Sequence, residues 1–382
     1  MTFRFTNKRA CRNPESAKNH PQILIQTQKQ ILLATVILAS TAGSGSAIPP
    51  AAYVDGRPQA GLRLEARDQG IVLKHSGGPG DCDILGAREA IVFEDMGGYY
   101  LHYDGAGTKG WLACLATSKD LIHWEKRGPV LDFGKPGSPD SASAASPWVI
   151  RDGKWWNMFY LGTPNVSPAP DYIPMTPYLT LKARSRRPTG PWEKQYDAAP
   201  FTPQPHTYYS ATASPGCVVK HNSQYLMFFS AATASPDFKR TLSIARARKL
   251  DGPWLLQAEP ILPLEEQIEN SSLYYEPKNK TWFLFTNHIG INDQKQEFTD
   301  AVWVYWSKDL NRWDPRNKAV VLDGRNCSWS RNCIGMPSVL MMGKHLALLY
   351  DAPGGDSINH MNRDIGLAWL DLPLTIPVPV SK

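Results

Sequence analysis

Ser118-Lys119-Asp120-Leu121-Ile122-His123-Trp124, leading to Pro129-Val130-Leu131, decides the fold, because the chain says it more than once. Ser307-Lys308-Asp309-Leu310-Asn311-Arg312-Trp313 leads to Val320-Val321-Leu322 in the same way. Shorter forms stand at Thr189-Gly190-Pro191-Trp192 and at Asp251-Gly252-Pro253-Trp254. The spacing, on the order of 60 residues, is room for one sheet of four short strands with unequal loops.

Between the phrases a second pattern recurs: a short apolar strand, a turn, then an aromatic strand. Ala90-Ile91-Val92-Phe93, Gly97-Gly98 and Tyr99-Tyr100-Leu101-His102-Tyr103 are its first case. Residues 147–150 with 155–160, 216–219 with 225–229, 272–275 with 282–285 and 337–340 with 345–350 repeat it. Gly-Gly and Asp-Gly between apolar runs are hairpin turns. Third strands follow, but the fifth, Ile365-Gly366-Leu367-Ala368-Trp369, ends with no fourth strand behind it. Residues 62–64 and 70–73 match the missing piece. The expected fold is therefore an all-β, five-bladed β-propeller over residues 48–382, its fifth blade closed by an N-terminal strand, which removes the open edge. Two β-sandwiches would not give five matching units with a split last one.

Composition agrees. Thirteen Trp, fifteen Tyr and thirty-two Pro in 382 residues favour half-buried strands and punctuated loops. The formal charge of +6 is concentrated at one end. Residues 1–47 hold Arg4, Lys8, Arg9, Arg12, Lys18 and Lys29 against Glu15 alone, which leaves the body at +1. A near-neutral body gives no case for nucleic acid as partner.

The basic leader runs into Ile31-Leu32-Leu33-Ala34-Thr35-Val36-Ile37-Leu38-Ala39 and small residues ending Gly45-Ser46-Ala47. That order is a secretory signal, with cleavage after Ala47 and a secreted or periplasmic product. The apolar run is short for a membrane span, so no membrane association is expected after cleavage. Cys327 and Cys333 could pair in an oxidising compartment; Cys82, Cys114 and Cys217 leave an odd count and no zinc spacing. Nothing in the sequence sets an oligomeric state.

Strand order places the site. Loops before first strands and after second strands gather at one mouth, and loops on a rigid scaffold carry most sites. The loops before first strands carry Asp81, Asp83 and Glu89, then Asp140, then His206 and Tyr208, then Glu265, Glu266 and Glu269. Returns from second strands carry Asp104, His288 and Asp351; third strands begin near Trp111, Tyr178, Asp300 and Asp364, with Arg88, His360 and Arg363 close by. Carboxylates, aromatic faces and a few cations around one mouth suit a sugar, since aromatic faces stack on C–H surfaces and carboxylates accept hydroxyl protons. Asp83 or Glu89, Asp140 and Glu269 are the catalytic candidates, because glycoside hydrolysis needs two carboxyl groups across one bond. Arg88, Asp104, Trp111, Tyr208, His288, Asp300, Asp351, His360 and Arg363 are the expected substrate contacts. Asp120, Asp309, Trp124 and Trp313 repeat where no site is expected and read as architectural.

The phrases Ser-Lys-Asp-Leu-x-x-Trp and Gly-Pro-Trp, with the Asp152-Gly153-Lys154-Trp155-Trp156 hairpin, resemble those of five-bladed propeller glycosidases: glycoside hydrolase family 43 and its relatives in families 32, 62, 117 and 130. The resemblance covers nearly all of the mature chain. It implies a base Asp, a modulating Asp and an acid Glu before the first strands of blades one, two and three. Here Gly86-Ala87-Arg88-Glu89 occupies the place of the base Asp, and Asp140 stands in blade two. Blade three has Ala213-Ser214-Pro215-Gly216 and no Glu, so Glu269 in blade four is expected to replace the acid. The implied function is a secreted, exo-acting hydrolase of plant, algal or microbial carbohydrate that requires no cofactor. A central cation such as Ca²⁺ occurs in some relatives, but no loop here shows its ligand pattern. A non-catalytic carbohydrate-binding propeller is the alternative. So is a lyase using His288, His360 or Tyr208, or a phosphorylase using Arg88, His360 and Arg363. No Gly-rich phosphate loop, nucleophile elbow or His-Glu-x-x-His is present.

Overall fold

The structure, a computed structural model, describes residues 55–198, 201–294 and 296–378. The chain divides into Met1–Pro49 and Pro50–Lys382. The expected leader, with Cys11, lies outside the described residues.

Strands form where apolar side chains can alternate between two interiors. Along the segment Thr281–Ile291, Phe283 and Phe285 share a core with Leu346 and Leu348, whereas Leu284 shares one with Phe228 and Ile244. Both faces are buried, so such a strand reads as a continuous apolar run although its side chains alternate.

β1 (Arg67–Leu73) precedes four sets of four antiparallel strands, the first two of which join through a parallel contact of Leu112 with Ala144 into one eight-stranded sheet. The first set is β2 (Gly86–Asp95), β3 (Gly98–Gly107), β4 (Gly110–Ser118) and β5 (Trp124–Pro129). The second is β6 (Ser143–Asp152), β7 (Trp155–Thr163), β10 (Leu179–Ser185) and β11 (Glu193–Lys194), with the hairpin β8 (Asn165–Val166) and β9 (Pro174–Met175) inserted. The third is β12 (Thr212–His221), β13 (Gln224–Ala232), β14 (Arg240–Ala247) and β15 (Leu255–Leu256). The fourth is β16 (Ile268–Glu276), β17 (Thr281–Ile291), β18 (Glu297–Ser307) and β19 (Lys318–Leu322). The last set holds β20 (Gly335–Met342), β21 (His345–Ala352) and β22 (Asp364–Asp371), and β1 supplies its outer strand by pairing Arg67 with Trp369 and Leu73 with Ile365. Helix is confined to three short 3-10 turns among the described residues.

Residues 62–64 depart from expectation. Leu64 N–H donates to Val320 O, and Val320 N–H to Leu62 O, so this segment lines the outer strand of the fourth set, not the fifth.

Apolar cores lie between successive sets. Met158 and Leu181 share one with Ala113, Phe159 with Met227, and Ile244 with Leu284. Phe285 shares one with Leu348, and Leu349 and Leu367 share the last with Val92 and Leu101, which returns the succession to the first set.

The repeated phrases build the turns. Ser118 Oγ accepts from Asp120 and Leu121 N–H, and Asp120 accepts from Ile122 and His123 N–H. Trp124 Nε1 donates to Leu121 O at 2.8 Å and Trp313 Nε1 to Leu310 O at 2.9 Å, the architectural role expected of them.

A buried acid also ties inner loop to outer strand in three sets. Asp83 accepts from Tyr103 Oη at 3.0 Å and from Lys126 Nζ on β5 at 2.5 Å. Asp140 accepts from Tyr160 Oη at 2.9 Å and from Lys194 Nζ on β11 at 2.6 Å. Glu266 accepts from Tyr305 Oη and from Lys318 Nζ on β19, both at 2.6 Å. Breaking such a pair leaves a lysine without its counter-charge. Asp140→Ala is expected to cost about 3 kcal/mol in a urea-unfolding measurement, and an unchanged midpoint would contradict this role.

Candidate active site

Each first strand is interrupted at the same place. The pairing register slips between Arg88 and Ile91, Ala145 and Trp148, Ser214 and Cys217, Glu269 and Ser272, and Gly335 and Ser338. A bulge of this kind takes residues out of the ladder and re-aims their side chains. Glu89, Ser146, Asn270 and Met336 sit at these bulges with φ of 47°, 46°, 59° and 58°. In the third set the bulge is Pro215-Gly216, where a Cβ on Gly216 would stand 1.8 Å from Phe228 O. Glu89, Ser146, Pro215, Asn270 and Met336 all line one cavity of about 80 Å³.

A bulge N–H has no ladder partner, and a buried one needs another. Glu89 N–H donates to Asp351 Oδ2 on β21 at 2.8 Å, and Asn270 N–H to Ser230 Oγ on β13 at 3.0 Å. Ser146 N–H donates to Asp104 Oδ1 on β3. In each case the acceptor comes from the second strand of the preceding set. The equivalent position on β7 is Leu161, paired with Ala145 as Asp104 is with Arg88. Leu161 has no side-chain acceptor, and the bulge that follows it is Pro215, which has no N–H.

The cavity's carboxyl groups fall into two settings. Glu89 Oε2 accepts from Ser146 Oγ at 2.6 Å, and the same hydroxyl stands 3.2 Å from Asp104 Oδ2. Burial pushes the Glu89 carboxyl up to about 7, and the charge of Glu269 adds to this against the pull of Arg88. Burial and the neighbouring Glu89 push Asp104 well above the carboxylate range. The two therefore titrate as a pair bridged by Ser146.

Glu269 lies across an ion pair, with Arg240 Nη1 2.5 Å from its Oε1. Arg240 also holds Glu297, Nη2 to Oε2 at 2.7 Å. Burial raises the Glu269 carboxyl and Arg240 opposes it.

His360 completes this wall. Arg88 Nη1 lies 3.4 Å from its Nδ1, and an arginine can only donate, so Nδ1 accepts and the Nε2 proton goes to Glu297 O at 3.1 Å. Burial, Arg88 and Arg363 hold the ring neutral by pushing it well below its ordinary value.

Solved structures share the fold. A family 117 glycoside hydrolase, Zg3597 of the marine bacterium Zobellia galactanivorans, matches over 84% of this chain and 93% of its own at 13% identity and a TM-score of 0.59. The catalytic domain of a family 62 α-L-arabinofuranosidase from Coprinopsis cinerea matches over 81% and 98% at 12% identity and a TM-score of 0.57. A thermostable family 43 glycoside hydrolase matches over 81% and 100% at 14% identity and a TM-score of 0.56. The chain resembles the β-propeller glycosidases in fold. No family model matches it, and no curated sequence does.

On this fold the expected site residues separate. Glu89, Glu269, Arg88, Asp104, Trp111 and His360 line the cavity together. Asp83 and Asp140 do not line it. Burial opposes the charge of Asp140, yet Lys194, Tyr160 and Tyr196 hold its carboxyl below the ordinary value, which leaves no proton to donate. Tyr208 is likewise elsewhere, its hydroxyl bonded to Ser243 Oγ and Gln257 O in the core between the second and third sets. His288 stacks on Trp303 at 3.8 Å and meets Arg57 and Asp300, so both His288 and Asp300 anchor the N-terminal segment.

Asp351 and Arg363 lie behind Glu89, joined Oδ1 to Nη1 at 2.6 Å. Of the three residues considered for a phosphorylase, Arg88 and His360 line the cavity and Arg363 does not. Cys327 and Cys333 are free thiols, and Cys333 Sγ contacts Arg363 Nη2 at 2.8 Å. Among the described residues no group of three or more His, Cys, Asp or Glu could hold a metal ion, and no helix is long and apolar enough to cross a membrane.

Arg240, Glu297 and Ser146 were not anticipated. Arg240 and Glu297 open β14 and β18, and the rule that third strands begin at the mouth reaches both. Ser146 carried no signal beyond its place before Pro147.

The Glu89 carboxyl is expected to titrate with a midpoint near 7 by carbon-detected NMR. Glu269→Gln removes a like charge and should lower that midpoint. A wild-type midpoint near the usual ~4.3 for glutamate would contradict the site as described.

Proposed function

We propose that this chain is a secreted glycoside hydrolase related to family 43, a closed five-bladed propeller whose active site is the cavity between the strand bulges. The observation that carries the reading is the pair Glu89 and Glu269. They stand at the bulges of the first and fourth sets and face one cavity; burial raises both, and of the two only Glu269 has an arginine in ion-pair contact. Among the described residues no cation lies in ion-pair contact with Glu89, whose carboxyl is pushed up to about 7, which suits a general acid. Arg240 in contact with Glu269 favours its ionised form, which suits the base or nucleophile. Asp104 and Ser146 position Glu89, and Glu297 shares Arg240 with Glu269. The chemistry runs on the chain's own side chains, with carbohydrate as the partner. The succession of cores that returns to the first set supports ring closure. The basic, apolar and small-residue order of residues 1–47 supports export.

Exo-action rests on shape. The cavity is bordered by Ile173, Glu297 and His360, and the same three residues border an outer chamber that includes Phe238 and Asn359. A small inner chamber opening on a wider outer one takes a chain end more readily than a chain middle.

Hydrolysis of a polysaccharide panel tests the proposal. Glu89→Gln and Glu269→Gln are each expected to lower kcat by about 10²- to 10⁴-fold, whereas folded Asp140→Asn should keep its kcat. The acid must hold its proton, so kcat/KM falls as pH rises through about 7. The base must lose its own, so kcat/KM also falls as pH drops towards and below the raised value of Glu269. Full turnover in both glutamine variants would remove the assignment.

A further inference from the structure

We propose that the sugar bound in this cavity is a uronate, and that the Arg88 guanidinium receives its carboxylate. The inference rests on the cavity being the carbohydrate site. Arg88 is 3% exposed and lies over the Trp111 ring, 4.7 Å from its centroid. Only its Nη1 has a hydrogen-bond partner among the described residues, the Nδ1 of His360. Nε is buried without one, and so is Trp111 Nε1. Two buried donors lining one cavity thus lack acceptors, and such groups are costly unless a ligand or water supplies them.

Charge points the same way. Arg240 is paired with Glu269 and Glu297, and Arg363 with Asp351, but Arg88 forms no ion pair among the described residues. Three carboxyl groups act on Arg88 without touching it, Asp351, Glu89 and Asp104, and each has other work; Glu89 accepts from Ser146. Asp351 holds Arg363 and the Glu89 N–H, and Asp104 holds Ser146. A neutral hydroxyl at Arg88 would leave a buried cation uncompensated. A carboxylate would compensate it, and the Nε and Nη2 edge of a guanidinium matches the spacing of two carboxylate oxygens. Burial and the nearby Arg363 lower the Arg88 value and outweigh the pull of Asp351, Glu89 and Asp104, none of which is in ion-pair contact with it.

Calorimetric binding of D-galacturonate and D-glucuronate, against D-galactose, D-glucose and the methyl esters of the two acids, tests this. At least one acid is expected to bind about tenfold or more tightly than its neutral sugar and its ester, the worth of one charge-assisted pair. Arg88→Lys, which keeps the charge and loses the fork, should narrow that preference. If this variant does not fold, the comparison of acid with ester on the wild type decides alone. Equal binding of acid and ester, or no binding of either uronate at millimolar concentration, overturns the inference. Binding is read without turnover, so the two readings fail separately. A preference for uronate in a protein that cleaves nothing removes the hydrolase and leaves this inference standing. Cleavage of neutral glycans with no acid preference does the reverse.

Discussion

An amide proton at a strand bulge has lost its ladder partner, and in a buried wall it must find another. Five first strands carry a bulge at the same position, so the problem recurs around the cavity. Three times it is met by a side chain from the second strand of the preceding set: Asp351 for Glu89, Asp104 for Ser146, Ser230 for Asn270. Once it is met by removing the proton, where Pro215 follows Leu161. Each clamp joins one sheet to the next at the cavity wall, so the positions of Glu89, Ser146 and Asn270 are set by the neighbouring sheet as much as by their own.

The same groups make the site acidic. Asp104 and Asp351 are placed where they can accept bulge amides, and this brings carboxyl groups close around Glu89. Arg363 offsets Asp351, and Asp104 is left to share Ser146 with Glu89. Burial then disfavours charge on both; Glu89 raises Asp104, and Glu269 and Asp351 add to the rise at Glu89. The raised value at Glu89 thus comes first from burial, with a part from Asp351, which stands where it accepts the Glu89 N–H. On the far side Arg240 does the opposite for Glu269, because it comes from a third strand and answers no backbone need.

The architecture was legible because repetition is a property of sequence. The Trp-centred phrases and five apolar hairpins marked the sets, and the unfinished fifth set sent its missing strand to residues 62–64 and 70–73, of which the second lies within β1. Residues 62–64 were misplaced because an edge segment follows whichever outer strand offers free carbonyls, here β19, and that choice leaves no mark on composition. The site was half legible. Strand order gathered Glu89, Glu269, Arg88 and His360 from topology alone, and the four line one cavity. It failed for His288 and Asp300, which stand in the right strands but turn into a packed cluster with Arg57 and Trp303. Side-chain direction at a strand end depends on neighbours that sequence order does not supply.

Asp83 and Asp140 show how an acid that holds a sheet together differs from one that is free to react. Each precedes a first strand, as a catalytic acid should, and each is tied to a lysine on the fourth strand of its own set. Those lysines belong to a phrase that stands twice in the chain, Trp124-Glu125-Lys126 and Trp192-Glu193-Lys194. The third set tests the connection. Its fourth strand reads Trp254-Leu255-Leu256 with no lysine, and no buried acid precedes its first strand; Tyr208 spans the gap by bonding to Ser243 Oγ and Gln257 O. Acid and lysine are present together or absent together because either alone would be a buried charge without a partner. The fourth set carries both kinds of acid: Lys318 claims Glu266, and Glu269, three residues on and at the bulge, is left to Arg240 and the cavity.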